Sequence, residues 1–150
     1  MRVLLQRVSE ASVKIEERVV GQIESGLLLL VGIEEEDSKN DADWLIKKII
    51  GMRIFSDEEG RMNRSIQDIA GQFLVVSQFT LHASTKKGNR PSFIKAARPE
   101  QAIPLYEYFK EELRKQSNLI VETGQFGADM KVSLTNDGPV TIWLDSKNKE

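Results

Sequence analysis

The chain has 150 residues, 40% hydrophobic and 29% charged, with 21 basic against 23 acidic side chains for a net charge of −2. That length predicts one domain able to bury a self-sufficient apolar core, and the near-neutral balance excludes attachment to nucleic acid by bulk positive charge while leaving room for a local basic patch. The absence of cysteine and the single histidine, His82, exclude disulfides, thiolate zinc sites, a cysteine nucleophile and any metal site with two histidine ligands in one chain.

The opening apolar run is broken by Gln6 and Arg7, too early for a signal-peptide core. The longest near-apolar stretch, residues 26–33, falls far short of the ~20 residues of a membrane helix. With no export signal and no cysteine, the expected compartment is the cytoplasm, with no membrane partner. Short β-type runs follow at residues 3–8, 12–15, 19–23 and 27–33, separated by polar or glycine-containing turns, which predicts an antiparallel meander. Leu27-Leu28-Leu29-Leu30-Val31 is apolar at every position, so its strand should be covered on both faces. Residues 41–52 place Ala42, Leu45, Ile46, Ile49 and Ile50 on one helical stripe, with Ser38 or Asn40 as cap and Gly51 as end. Residues 53–55 and 72–81 read as strands. A second helix is predicted over 99–116, opened by Pro99, with Ala102, Leu105, Tyr106, Phe109 and Leu113 inward. Pro104 must lie near its first turn, because an interior proline costs ~3 kcal/mol. Residues 119–123, 130–134 and 140–144 complete the strands. The expected architecture is a single α+β domain over residues 1–150: an antiparallel β-barrel or sandwich-like core with two outer helices.

Three stretches carry candidate chemistry. In Ser77-Gln78-Phe79-Thr80-Leu81 an apolar strand passes abruptly into amide and hydroxyl groups, as a buried strand does when it delivers polar groups to a pocket. Strand alternation would put Gln78, Thr80 and His82 on one face, and the strand end offers backbone N–H groups to an oxyanion. The plainer reading is a strand emerging into solvent. Thr80 and His82 invite a nucleophile and base reading, but no carboxylate lies near them in sequence, and an exposed histidine beside a turn is the commoner arrangement. Residues 84–98 hold Lys86, Lys87, Arg90, Lys95 and Arg98 with no acidic residue, together with Phe93. That combination suits a phosphate-rich, partly single-stranded RNA end, and the alternative is a solvated charged loop. In Asn136-Asp137-Gly138-Pro139-Val140-Thr141 the Asp-Gly pair between β runs signals a hairpin. Pro139, however, has no N–H for a strand ladder, and an X-Pro bond is where the cis form costs least.

Taken in order, the first motif, Gly88-Asn89-Arg90-Pro91-Ser92-Phe93 within the basic stretch, and the motif over residues 136–141 resemble the D-aminoacyl-tRNA deacylase family, long called D-tyrosyl-tRNA deacylase. Gln6-Arg7-Val8, Ala11-Ser12-Val13, Arg53-Ile54-Phe55-Ser56-Asp57 and Phe126-Gly127-Ala128-Asp129-Met130 extend the resemblance. It implies a homodimeric cytoplasmic esterase, needing no metal or organic cofactor, with two active sites at the dimer interface. Such an enzyme cleaves the ester between a D-amino acid, or achiral glycine, and the terminal adenosine of tRNA. By the same resemblance Ser77, Gln78, Phe79 and Thr80 line the pocket. A main-chain N–H near Phe79 or Thr80 holds the oxyanion, a donor worth ~2.7–4 kcal/mol of barrier. Gly138-Pro139 is then a cis pair entering the partner's pocket, where its carbonyls grip the substrate ammonium and leave no room for an L side chain. Phe126 and Met130 contact the terminal adenine, Arg7 steadies the Gly-Pro loop, and His82 inherits no role. Lys86, Lys87 and Arg90 are expected on tRNA phosphates. Because the sequence holds no adequate acid/base set, attack by water assisted by the ribose 2′-hydroxyl is preferred to Thr80 as nucleophile. Two other readings stand beside this one: a non-catalytic RNA-binding barrel, and an esterase or amidase acting on free small molecules through Thr80.

Overall fold

The computed structural model describes residues 1–150. Its elements follow in the order β1 (Arg2–Ile15), β2 (Arg18–Ile23), β3 (Gly26–Gly32), α1 (Lys39–Gly51), β4 (Phe55–Ser56), β5 (Met62–Arg64), β6 (Gln72–Ser77), a 3-10 turn (Phe79–His82), α2 (Pro99–Ser117), β7 (Val121–Thr123) and β8 (Lys131–Asp145). The runs read as separate strands at 3–8 and 12–15 are one long strand, β1. Its first half pairs antiparallel with β3 and its second half with β2, while β8 runs antiparallel along its other edge.

The meander ends there. β3, β6 and β7 are parallel neighbours, so the expected all-antiparallel core is corrected to a mixed, barrel-like sheet. A parallel partner requires a crossover, and the chain makes it by leaving β3 through α1 and the β4–β5 hairpin before entering β6. Local strand spacing carries no signal of that return.

Alternation along the strands serves two cores. Leu27, Leu29 and Val31 of β3 and Phe73 and Val75 of β6 pack with the inward stripes of α1 and α2. Leu28, Leu74 and Val76 point the other way and meet Val8, Ala11, Val13 and Ile23 inside the curl of the sheet. β3 is thus covered on both faces, as its unbroken apolar run requires. β1 changes sides partway: the odd-numbered Val3 and Leu5 face the helices, whereas Ala11 and Val13, also odd-numbered, join Val8 in the inner cluster, through the register shift between Val8 and Glu10.

Both helices lie where periodicity places them. At the start of α1 the Asp41 carboxylate accepts hydrogen bonds from the Ser38 N–H at 2.9 Å and the Ser38 hydroxyl at 3.1 Å. α2 opens at Pro99 and closes at Asn118, a left-handed residue whose N–H donates to the Arg114 carbonyl at 2.9 Å. Pro104 sits in the second turn, on an exposed face. The strand expected over 53–55 is reduced to the short β4, which pairs with β5, and the Asp57 carboxylate ties that hairpin by accepting from Glu59 N–H, Arg61 N–H and the Asn63 amide.

Two further corrections bear on function. The strand expected over 72–81 stops at Ser77 and coils into the 3-10 turn, so Gln78, Thr80 and His82 do not share a strand face, and His82 is buried rather than exposed. Residues 136–141 form no hairpin, because β8 continues through them as one strand, with a bulge and a cis Gly138-Pro139 bond. No helix is long and apolar enough to cross a membrane.

Candidate active site

Because β3 and β6 are parallel, their C-terminal ends open at the same place, the usual position for a ligand crevice beside parallel strands. A cleft of about 270 Å³ lies there, walled by Val31, Ile33, Val76 and Ser77 from the strand ends, by Gln78 and Phe79, by Ala102 and Tyr106 of α2, and by the segment from Phe126 to Val132. Eleven of its fourteen lining residues are hydrophobic, so the few polar groups present must set the orientation of anything bound.

The 3-10 turn governs one wall. Gln78 N–H bonds the Val31 carbonyl at 2.7 Å, anchoring the turn to β3, and Leu81 N–H is the first to close back, onto the Gln78 carbonyl at 3.2 Å. The Phe79 and Thr80 N–H groups ahead of it therefore have no partner within the turn. The Gln78 side-chain amide donates to the Thr80 hydroxyl at 2.5 Å. Thr80 itself is exposed and does not line the cleft. His82 is turned into the interior, where neither ring nitrogen has a hydrogen-bond partner, so the structure assembles no Thr80–His82 dyad.

At the opposite wall Phe126 lies 5.7 Å from Tyr106, ring centre to ring centre. The Tyr106 hydroxyl donates to the Val75 carbonyl at 3.1 Å, and burial pushes its pKa up. Met130 completes this side, seated over Gly124, where any β-carbon would meet its sulfur at 2.5 Å. Tyr106, Ala97 and Ala102 escaped sequence reasoning as site residues because their spacing reads as helix core or as loop. The small residues Ala97 and Ala102 shortly before Tyr106 in the sequence were the available signal.

The basic stretch joins the site through aromatic contact. Phe79 meets Phe93 edge to face at 5.1 Å. Ser84 and Ser92 exchange backbone hydrogen bonds at 2.8 and 2.9 Å, closing the base of the loop that carries Lys86, Lys87 and Arg90. All three cations are exposed and none forms an ion pair within the chain.

Arg7, Gly138 and Pro139 are not at this cleft. Between the pairs Gln6↔Thr141 and Val8↔Asn136, β8 bulges outward. The buried Arg7 guanidinium braces the bulge, donating to the Asp137 carbonyl at 2.9 Å and the Ile54 carbonyl at 2.6 Å. The Asn136 side chain spans it, accepting from Val140 N–H at 3.1 Å and donating to the Thr141 hydroxyl at 2.9 Å. Asp137, Gly138 and Pro139 are exposed.

The structure thus brings together Ser77, Gln78, Phe79, Phe126 and Met130, places Thr80 and the basic loop at the rim, and sets Arg7 with Gly138-Pro139 apart. Known proteins match the chain along its length. The family described as D-Tyr-tRNA(Tyr) deacylase matches residues 4–145. Curated proteins named D-aminoacyl-tRNA deacylase from Flavobacterium johnsoniae and Bacteroides fragilis are each 62% identical over 150 residues, the full length of both chains. A solved structure titled "c-Myc DNA Unwinding Element Binding Protein" is 40% identical with a TM-score of 0.91, covering 97% of this chain and 98% of its own. A probable eukaryotic D-amino acid tRNA deacylase shares the fold at 17% identity, with a TM-score of 0.81 over 95% of this chain and 97% of its own. Similarity of this extent and identity places the chain in the D-Tyr-tRNA(Tyr) deacylase family.

Proposed function

We propose that the protein hydrolyses the ester joining a D-amino acid, or glycine, to the 3′-terminal adenosine of tRNA, acting in the cytoplasm as a homodimer. The observation that carries this reading is the cleft itself: a mostly apolar slot whose one polar wall is a turn with backbone N–H groups to spare. Adenine suits the side formed by Phe126, Tyr106 and Met130, since a flat base gains most from aromatic and thioether contact. Lys86, Lys87 and Arg90 lie within one loop of that slot, where the phosphates of a bound strand would run.

In the reaction, water adds to the ester carbonyl carbon and the carbonyl oxygen takes up negative charge beside the Phe79 and Thr80 N–H groups. The bond to the ribose 3′-oxygen then breaks, that oxygen leaves with a proton, and the amino acid is freed. Thr80 has no base beside it, so the neighbouring ribose 2′-hydroxyl is assigned the proton handling. Gly138-Pro139 stands outside its own chain's cleft and is exposed, which fits an element donated to the cleft of a second copy. There its backbone would exclude an L side chain while admitting a D side chain or none.

The test is incubation with D-Tyr-tRNA, L-Tyr-tRNA and a D-Tyr-tRNA whose terminal ribose lacks the 2′-hydroxyl. Release from the first alone is expected. The name of the 40% identical relative favours a second reading, nucleic-acid binding without chemistry, and a pure binder would leave all three esters at their spontaneous rates. Turnover of free D-amino-acid esters at the rate of the tRNA ester would point instead to small-molecule hydrolysis.

A further inference from the structure

His82 is the chain's only histidine, and the chemistry above makes no use of it. It closes the 3-10 turn that Phe79 opens, and the residue is 1% exposed. Burial of an imidazole with both nitrogens idle is rare in folded proteins. The ring and its turn are seated on bare backbone at the end of β3: a β-carbon on Gly32 would come within 3.0 Å of the Gln78 oxygen and of Leu81 Cβ, and within 3.1 Å of His82 Cδ2. Arg2 holds the Leu81 carbonyl of the same turn at 2.8 Å and is itself fixed by Asp145 at 2.9 Å. The charged groups facing the imidazole are Glu34, from the loop after β3, with Oε2 3.9 Å from Nδ1, and Arg2 and the Met1 amino group from the start of the chain. Glu34 pairs through its backbone with Ala96, next to the cleft-lining Ala97. The imidazole therefore lies between the turn and the loop after β3, whose neighbours Phe79, Ile33 and Ala97 line the cleft.

We infer that His82 is a positioning residue for the turn that carries the Phe79 and Thr80 N–H groups, and that it works only as the neutral ring. Neutral, it fills the space behind the turn and keeps those donors aimed at the cleft. Protonated, it closes the short gap to the Glu34 carboxylate in a charge-assisted hydrogen bond, and the turn moves with it. Desolvation holds the ring below its ordinary pKa against the opposing pulls of the Gly32 backbone and of Glu34, so the neutral form is the working one near pH 7. This inference rests on the turn being the oxyanion site.

Because there is one histidine, its ring protons give one titrating NMR signal with no assignment ambiguity. Deacylation is measured in parallel from about pH 5 to about pH 8, the window in which imidazoles change charge, with spontaneous hydrolysis subtracted. The expected result is a kcat that falls about 10–100-fold through the imidazole midpoint at unchanged KM, the scale of a small misplacement of catalytic donors. The Phe79 and Thr80 amide resonances should move with the same midpoint. In His82→Leu, normalised to its own alkaline rate, the acid limb should be gone. In Glu34→Gln the midpoint should fall to lower pH, since the anion that favours the charged ring has been removed. Should His82→Leu fail to fold, His82→Gln is read in the same way. An acid limb that survives in these variants, or turn amides indifferent to the imidazole titration, overturns the inference. The amide titration needs no turnover, so an inactive protein would count against the assigned reaction and leave the coupling of ring and turn to be judged on the spectra.

Discussion

At Gly138 three constraints meet in one residue. Its φ is +133°, a region in which L side chains are strained. A β-carbon there would lie 2.9 Å from Arg7 Nη2 and 2.9 Å from Val140 Cγ2. Arg7 cannot simply swing aside, because two carbonyls, of Ile54 and Asp137, already hold its guanidinium in the interior. Gly138→Ala is therefore expected to destabilise the fold by about 1–3 kcal/mol, measurable as a lower urea midpoint with an unchanged slope. Because the displaced atoms are those that shape the exposed tip of the bulge, discrimination between D and L esters should suffer more than the rate on the D ester. A variant that kept both full stability and full discrimination would show that the bulge tolerates a side chain and that backbone exclusion is not its task.

At the scale of elements, the start of α1 is held by charge as well as by geometry. Burial alone would raise the Asp41 pKa, but hydrogen bonds from Ser146, from Ser38 and from Lys147 outweigh it and bring the group down to about 2 from an ordinary 3.8. The folded chain therefore binds the Asp41 proton less readily than the unfolded chain, so the stabilisation is present above pH about 3.8 and is lost as pH falls toward about 2. Asp41→Asn should cost about 2 kcal/mol at neutral pH, a deficit that shrinks toward zero in acid when unfolding is followed at both ends. The helix behind this cap was legible from the five apolar positions at helical spacing, because a buried stripe leaves a 3.6-residue signature. β8 was not, since Asp137-Gly138 carries a strong local turn signal and only the long-range pairing of Thr141 with Gln6 and Asn136 with Val8 carries the strand past it. The end of β6 was misread for a related reason. Alternation was extended through Thr80, yet the Gln78 N–H finds its acceptor on Val31, and that tertiary bond lets the next residues coil. Ser77, Gln78, Phe79, Phe126 and Met130, which only the family resemblance groups in the sequence, line one cleft. Tyr106 was not legible as a site residue, because its spacing on α2 is that of any core residue.

For the whole molecule, the puzzle is that one chain carries a cleft and, away from it, a braced and exposed backbone loop with no task of its own. Exposed apolar groups accompany both: Phe79 at the cleft rim, and Leu134 and Trp143 on β8, the strand that carries the loop. β8 pairs only with β1, which leaves its outer edge without a strand partner. A two-fold pair of chains would meet these needs together, since a symmetric interface lets each copy give its loop and receive the other's. That arrangement makes a prediction no single-chain site can satisfy. A chain carrying Gln78→Ala has a damaged cleft and a sound loop, and a chain carrying Gly138→Ala has the reverse. Each homodimer is then defective at both of its sites, whereas the mixed dimer joins one sound cleft to one sound loop. Mixing the two purified variants, with subunit exchange followed by mass, is expected to restore D-selective deacylation above the average of the separate proteins. If exchange is complete and the mixture shows only that average, the loop serves its own chain, and discrimination between enantiomers must be sought within the cleft from Ser77 to Phe79.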